Sequence, residues 1–342
     1  MAVLGDLSRL FAKSRPRKDG SAGYLLIKRL GAGFWADVDL VVEQLLAAEI
    51  MGRQPIVQWG REGPYANGNQ DSFSLYFQPV SDAILSDTPA SIYPENWTIE
   101  NLPNDLPFPT TGLVDPKYGI YHMSSEKRDV PKWHRKFRAL RSRSEEVVVT
   151  YCWDKPENII AALPRDDTRS RFSMQELRAW MMHERIHLQP HLKDRVDRFY
   201  CDRLAGREVM AVHMRGSDKV VENKALFDQN EIAFEAAGTW LKGGADRSIF
   251  LLTDSQNYVE RWQNAFSEDR IILQDCFRTN AMTPNFLDEG SDGHANGQEI
   301  ILDTYVAARC DSFVGNSSSN VAKYVAAIGN FTPQTLLWVD RA

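Results

Sequence analysis

Apolar residues along the chain fall into two alternating patterns. Short apolar runs bounded by charge, Gly or Pro occur at 23–30, 55–59, 147–153, 209–214, 248–252, 270–274, 312–314 and 335–339, and each predicts a buried strand. Longer stretches with apolar residues at helical spacing predict helices over 38–51, 173–198 with a break near Pro190, 230–242, 256–266, 297–309 and 318–328. Strands that alternate with helices imply parallel sheets covered on both faces, so the fold class is α/β. The pattern is regular from about residue 206, which predicts a doubly wound, nucleotide-type domain over 206–342. Residues 21–205 hold strand-turn-helix units of their own and predict a second α/β domain, with the ligand in the cleft between the two.

Residues 61–144 interrupt the pattern with Pro, Gly, Asn and aromatic side chains. Loops of that length in a compact protein are functional or disordered. Tyr65, Phe73, Tyr76, Phe77, Tyr93 and Trp97 argue for order, either as rings on which sugars stack or as the packing of a loop-rich core. The basic segment 127–143 reads as a solvated helix or lid, or as a seat for an anionic acceptor.

Composition narrows these readings. A chain of 342 residues, 43% hydrophobic and 25% charged, is expected to be a soluble folded protein with room for two cores. Its net charge of -6 argues against a general nucleic-acid binder, so an anionic ligand has to be held by local cations. Cys152, Cys201, Cys276 and Cys310 stand far apart without a CxxC pair, which suggests neither a zinc site nor a disulfide framework and fits a reducing, cytoplasmic location. Residues 1–20 lack the apolar core of a signal peptide, and no apolar run is long enough to span a bilayer. Within that tail, Val3, Leu4, Leu7, Leu10 and Phe11 fall at helical spacing beside Arg9, Lys13, Arg15, Arg17 and Lys18. This is the pattern of a short basic helix for peripheral membrane contact, or of a frayed end.

The candidate chemistry gathers at strand ends. The strand at 209–214 delivers His213, Arg215, Asp218 and Lys219 within a few residues, where an open α/β sheet binds its ligands and where cations meet an anionic group such as a diphosphate. The competing reading is a solvated charged turn. Gly315, Asn316, Ser317, Ser318, Ser319 and Asn320 follow another strand and open a helix, which makes a phosphate seat or an ordinary helix cap. Asp254 ends a third strand, and Asp303 lies among apolar neighbours, where an unpaired carboxylate is costly; facing a guanine, it can accept the N1 and 2-amino hydrogens together. Near the start, Gly31, Gly33 and Ala36 satisfy a loose GxGxx(G/A) dinucleotide fingerprint, but the next strand ends in Gln58-Trp59-Gly60 without the acid that a ribose requires. The turn at Gly33, Phe34 and Trp35 is therefore read as one that lets a sugar or diphosphate approach the backbone. His183 and His187 form an HExxH with Glu184, the pattern of a zinc hydrolase; Pro190 interrupts the helix before the only third ligand, His191, and Ile186 and Leu188 alternate with the histidines as in a half-buried helix.

The stretches 213–219 (HMRGSDK), 249–255 (IFLLTDS) and 299–326 (EIILDTYVAARCDSFVGNSSSNVAKYVA) resemble, in order and spacing, three motifs of the α1,6-fucosyltransferase and protein O-fucosyltransferase superfamily, which includes bacterial enzymes acting on nodulation factors. Residues 33–60 and 69–80 (NQDSFSLYFQPV) are similar to the amino-terminal part of its bacterial members. The resemblance implies a GT-B fold, two Rossmann-like domains facing each other across a cleft, and inverting transfer of fucose from GDP-fucose to a glycan hydroxyl without a metal. It places Arg215 at the donor diphosphate, His213 and Asp303 at the guanosine, and Asp254 with Ser317 to Ser319 around the rest of the pocket. Two positions depart from the α1,6 pattern: Gly216 stands where a second Arg is expected and Ser255 where a second Asp is expected. Glu222 is the nearest candidate for the general base, one residue closer to Lys219 than the pattern has it. Transfer from another GDP-sugar, and a relative that binds nucleotide or sugar without turnover, are the neighbouring expectations.

Overall fold

The computed structural model describes residues 23–30, 33–95, 97–103, 136–151, 153–216, 223–280 and 291–341. The tail at 1–20, the loop residues 104–135 and the segment 217–222, with Asp218, Lys219 and Glu222, lie outside the described residues.

The first half is built on a parallel sheet of β1 (Tyr24–Ile27), β2 (Gln54–Val57), β3 (Ile92–Tyr93) and β4 (Val147–Thr150), in the order β2-β1-β4-β3. Leu25 and Ile27 of β1 face the main core, while Leu26 packs with Trp97, Val147 and Val149 on the other face, so the strand has no polar side. Helix α1 (Phe34–Met51) connects β1 to β2. Its end is set by Gly52, at φ 63, whose N–H returns to the carbonyls of Ala48 and Glu49. α1 is buried almost all round, and even Asp37, Glu43 and Gln44 are inside. It runs through the middle of the molecule.

β3 falls in the stretch read from sequence as irregular. A two-residue strand is too short to show a period, and its place is set by pairing of Ile92 with Val147. The aromatics of this stretch resolve to the core: Tyr65, Phe73, Tyr76, Phe77, Tyr93 and Trp97 are all buried. Within the basic segment, the described residues form only a short helix, α2 (Phe137–Leu140).

After α3 (Pro156–Ile160), two helices cross to the second half. α4 (Met174–Glu184) starts at a capping box in which Ser173 and Glu176 satisfy each other's backbone N–H, and α5 (Pro190–Arg203) starts with Pro at its first position, where no N–H is needed. The break thus lies before Pro190, at 185–189, rather than at the proline itself.

The second half is a parallel sheet of β5 (Glu208–Met214), β6 (Arg247–Thr253), β7 (Ile271–Ile272), β8 (Ser312–Gly315) and β9 (Leu336–Trp338), ordered β7-β6-β5-β8-β9. Its helices are α6 (Ala225–Lys242), α7 (Gln256–Ala265), α8 (Gly293–Ala307) and α9 (Asn320–Ile328). Alternate residues of β5 feed both faces: Val209 and Ala211 join one core, Val212 and Met214 join another with Ala233, Ala237 and Trp262. This is the doubly wound arrangement. The chain moves outward from β5 through β6 to β7, then returns to the other side of β5 for β8, so the strand order reverses between β5 and β8.

One hydrophobic core spans both halves. Trp35 of α1 stacks on Tyr324 of α9 with ring centres 4.4 Å apart, and its indole N–H donates to Thr304 of α8 at 2.9 Å. Asp39 of α1 takes both arms of Arg178 of α4 at 2.6 Å and the Tyr324 hydroxyl at 3.0 Å. α4 packs on α9 and α5 on α8, so the helices before residue 206 rest on the second sheet's helices.

Candidate functional site at the strand ends

β5 ends at the reversal point of the second sheet, and Arg215 is the next residue. Its guanidinium donates to Asp254, just past β6, at 2.6 Å; the neighbouring Gly216 N–H donates to the other oxygen of that carboxylate at 2.9 Å. Gly216 is required by this approach: a Cβ there would lie 2.6 Å from Cβ of Ser255. Position 216 and position 255, the two departures from the α1,6 pattern, are thus in direct contact. Arg215 remains partly open to solvent, with 27% of its side chain exposed, which leaves room for an anion beside the Asp254 pair.

His213, two residues earlier, is buried at 6% exposure, and its Nδ1 has no partner among the described residues. Burial, with the charge of Arg215 nearby, pushes its imidazole down to about 4, partly opposed by Asp254. It is neutral at physiological pH.

Asp303, on α8, meets the segment after β7. With the Gln274 amide nitrogen directed to α8, Gln274 donates to Asp303 Oδ1 at 2.8 Å and to the carbonyl of Glu299 at 3.3 Å. Burial pushes the Asp303 carboxyl up to about 7, while Arg278 pulls it down and Glu299 adds to the rise. The same segment reaches Asp254, since Thr279 N–H donates to the Asp254 carbonyl at 3.1 Å. Asp303 therefore adjoins the Arg215 and Asp254 pair through residues 274–279 without touching it.

The turn before α9 holds Ser317, Ser318 and Ser319, with Asn320 opening the helix, but much of its hydrogen bonding is already used. Asn316 accepts from the Ser318 N–H at 2.8 Å, and Asp340 accepts from the Ser317 N–H at 2.7 Å and from its hydroxyl. Ser319 occupies the cap position without a side-chain cap bond, and Asn320 accepts from Lys323. A carboxylate already rests on Ser317, which narrows the phosphate seat expected from sequence to the rest of the turn.

At the start of α1 the three expected residues part company. Phe34 and Trp35 are 2% exposed, and Phe34 is ringed edge-on by Trp35, Trp59, Tyr65 and Tyr76, so their side chains pack the core rather than face a ligand. Gly33, at φ 110, has nothing within 4 Å of where a Cβ would be and keeps its backbone accessible. The Phe34 N–H donates to the buried Tyr65 hydroxyl, which also feels the charge of Arg215. The HExxH pattern dissolves in three dimensions. α4 ends at Glu184, so His187 is not a helical turn from His183 within one helix, and both imidazoles are exposed. Among the described residues no cluster of His, Cys, Asp or Glu could hold a metal ion, and no helix is long and apolar enough to cross a membrane.

Sequence reasoning missed Asn230 and Tyr258. The Asn230 amide, buried in the first turns of α6, donates to the Arg215 carbonyl at 2.9 Å and to the Tyr258 hydroxyl at 2.8 Å. A polar residue on the buried face of a helix that follows the cationic strand end was the available signal.

The fold and site define an α/β protein with two parallel sheets and a cationic strand-end site at the reversal point of the second. No family model matches the chain, and no curated protein matches it. Among solved structures it is similar in fold to fucosyltransferase NodZ from Bradyrhizobium, with a TM-score of 0.55 and 16% identity over 90% of this chain and 94% of that one. A mutant of Arabidopsis thaliana FUT1 in complex with GDP gives a TM-score of 0.54 and 11% identity over 93% of this chain and 71% of that one. POFUT1 in complex with GDP-fucose gives 0.52 and 14% over 93% and 98%. At these identities the likeness is one of fold.

Proposed function

We propose that the chain is an inverting glycosyltransferase that moves fucose from GDP-fucose to a glycan hydroxyl, in a GT-B cleft between its two Rossmann-like halves. The observation that carries this reading is Arg215, fixed on an Asp254 carboxylate that also accepts the Gly216 N–H, at the reversal point of the second sheet, in a fold shared with structures holding GDP and GDP-fucose. Neutral His213 and the Asp303 carboxylate are assigned to the guanosine, and Gly33 with the turn at Ser318, Ser319 and Asn320 to the donor's approach.

In the reaction, the acceptor oxygen attacks the anomeric carbon from the face opposite the nucleotide. The bond from that carbon to the β-phosphate oxygen breaks, and its electron pair leaves with GDP. Arg215, Lys219 and the start of α9 offset the charge that builds on the diphosphate, which is the basis for proposing that no metal is needed. Glu222 takes the proton from the acceptor hydroxyl. We assign the protein to the cytoplasm, with the tail at 1–18 as a peripheral membrane contact.

The test is consumption of GDP-fucose in the presence of a pooled glycan acceptor, followed by release of GDP and by mass gain on the glycan. Wild type is expected to transfer, Glu222→Gln to bind donor without transfer, and Arg215→Ala to do neither. Wild-type turnover by Arg215→Ala sinks the donor assignment.

A further inference from the structure

The carbonyl of Arg215 lies one residue beyond the β5 and β6 ladder, whose last pair is Met214 with Thr253, so it is outside the pairing of those two strands. What does hold it is the Asn230 amide, 4% exposed, which gives one donor to that carbonyl and one to the Tyr258 hydroxyl. Both acceptors lie in fixed directions, one on the strand end and one on α7, so together they set the Asn230 rotamer. Asn is a weak helix former, and the buried face of α6 otherwise carries Leu226, Ala233, Ala237 and Leu241. A buried amide there is explained by what it grips.

We propose that Asn230, backed by Tyr258, is a positioning residue that fixes the main chain at Arg215 so that the guanidinium meets the donor diphosphate in a preset pose. The inference rests on the donor reading given above. The chain is pinned at successive points: Asn230 on the Arg215 carbonyl, and Asp254 on both the Gly216 N–H and the guanidinium. Loss of the first lets the strand end turn while Asp254 still holds the side chain, so the pair pivots together away from the phosphates. The planar fork of an Arg is sensitive to such a turn, whereas a point charge on a flexible stem is not.

The experiment is calorimetric titration of GDP into wild type, Asn230→Leu, Tyr258→Phe and Arg215→Ala, and into Arg215→Lys with and without Asn230→Leu. Asn230→Leu is expected to weaken GDP about tenfold, and Tyr258→Phe, which removes only a hydroxyl, about threefold. On the Arg215→Lys background the loss from Asn230→Leu should shrink to about twofold, because the pose of a lysine does not depend on the clamp. A merely structural role gives the same factor on both backgrounds, and that result overturns the inference, as does unchanged affinity in Tyr258→Phe and Asn230→Leu when Arg215→Ala abolishes binding. If wild type itself does not bind GDP, the donor reading falls and takes this inference with it.

Discussion

The Asp303 carboxyl supports a prediction that can be worked from its surroundings. Burial of this α8 residue against the segment after β7 raises it from 3.8 to about 7, with Arg278 opposing and Glu299 adding. That distance, at about 1.4 kcal/mol for each pH unit, corresponds to roughly 4 kcal/mol at full ionisation, and solvent reaching the edge of the side chain lowers the expected figure to about 2–4 kcal/mol. The sign follows from proton counting. Between about pH 4 and pH 7 the folded state holds a proton that the unfolded state has lost, so this group's contribution is complete at acid pH and is lost as pH rises through 7. Asp303→Asn removes the ionisation and keeps the Gln274 contact as an amide pair. Relative to wild type, the variant should gain in melting temperature as pH rises from 5 to 8.5, by about 2–4 °C for a chain of this length, since about two of the three pH units of the shift lie in that range. The assay is differential scanning calorimetry of both proteins across that range. An offset that is the same at every pH refutes the reasoning, because a carboxyl of ordinary acidity would already be charged throughout.

Other perturbations have equally definite outcomes. Gly216→Ala drives a methyl to within 2.6 Å of Ser255 Cβ, and should cost about 1–3 kcal/mol in urea unfolding, most of it regained in the Gly216→Ala, Ser255→Gly double variant. Arg178→Met leaves Asp39 in the interface between α1, α4 and α9 with only the Tyr324 hydroxyl, and should lower stability by about 3 kcal/mol, with Asp39→Asn restoring part of it. His213, depressed from 6.5 to about 4, is neutral above pH 5; its contribution to stability is present above 6.5 and declines as pH falls towards 4, so His213→Asn should flatten that acid limb of the unfolding profile.

Much of the fold was legible because strand and helix periods are strong over the second half. The apolar run at 209–214 and the helix over 230–242 were readable to within a few residues, and both emerge as β5 and the body of α6. Short elements were not: Ile92–Tyr93 is a strand only because Val147–Thr150 lies alongside. At the site, the sequence pointed to Arg215 and Asp254, whose strand-end positions follow from the pattern, and the structure joins them. It could not reveal that Trp35, two residues after an open Gly33, turns inward to a core shared by both halves, because its partners Tyr324 and Thr304 lie hundreds of residues away in the chain. Nor could it show that Asp340 would reach Ser317, since a carboxylate near the chain's end has no local pattern that marks its partner. The false HExxH has the converse cause: the spacing predicts a helix through 183–187, but the backbone leaves the helix after Glu184, and Ile186 and Leu188 are buried beyond its end.

The central claim is that Arg215 marks a donor site for a guanosine diphosphate sugar, and titration of GDP, GDP-fucose and UDP into wild type and Arg215→Ala, all in EDTA, tests it most directly. The account predicts that wild type binds GDP and GDP-fucose but not UDP, and that Arg215→Ala loses at least about tenfold in affinity for both, as expected for a charge-assisted contact to a diphosphate. Equal binding of GDP and UDP, or wild-type affinity in Arg215→Ala, would contradict it.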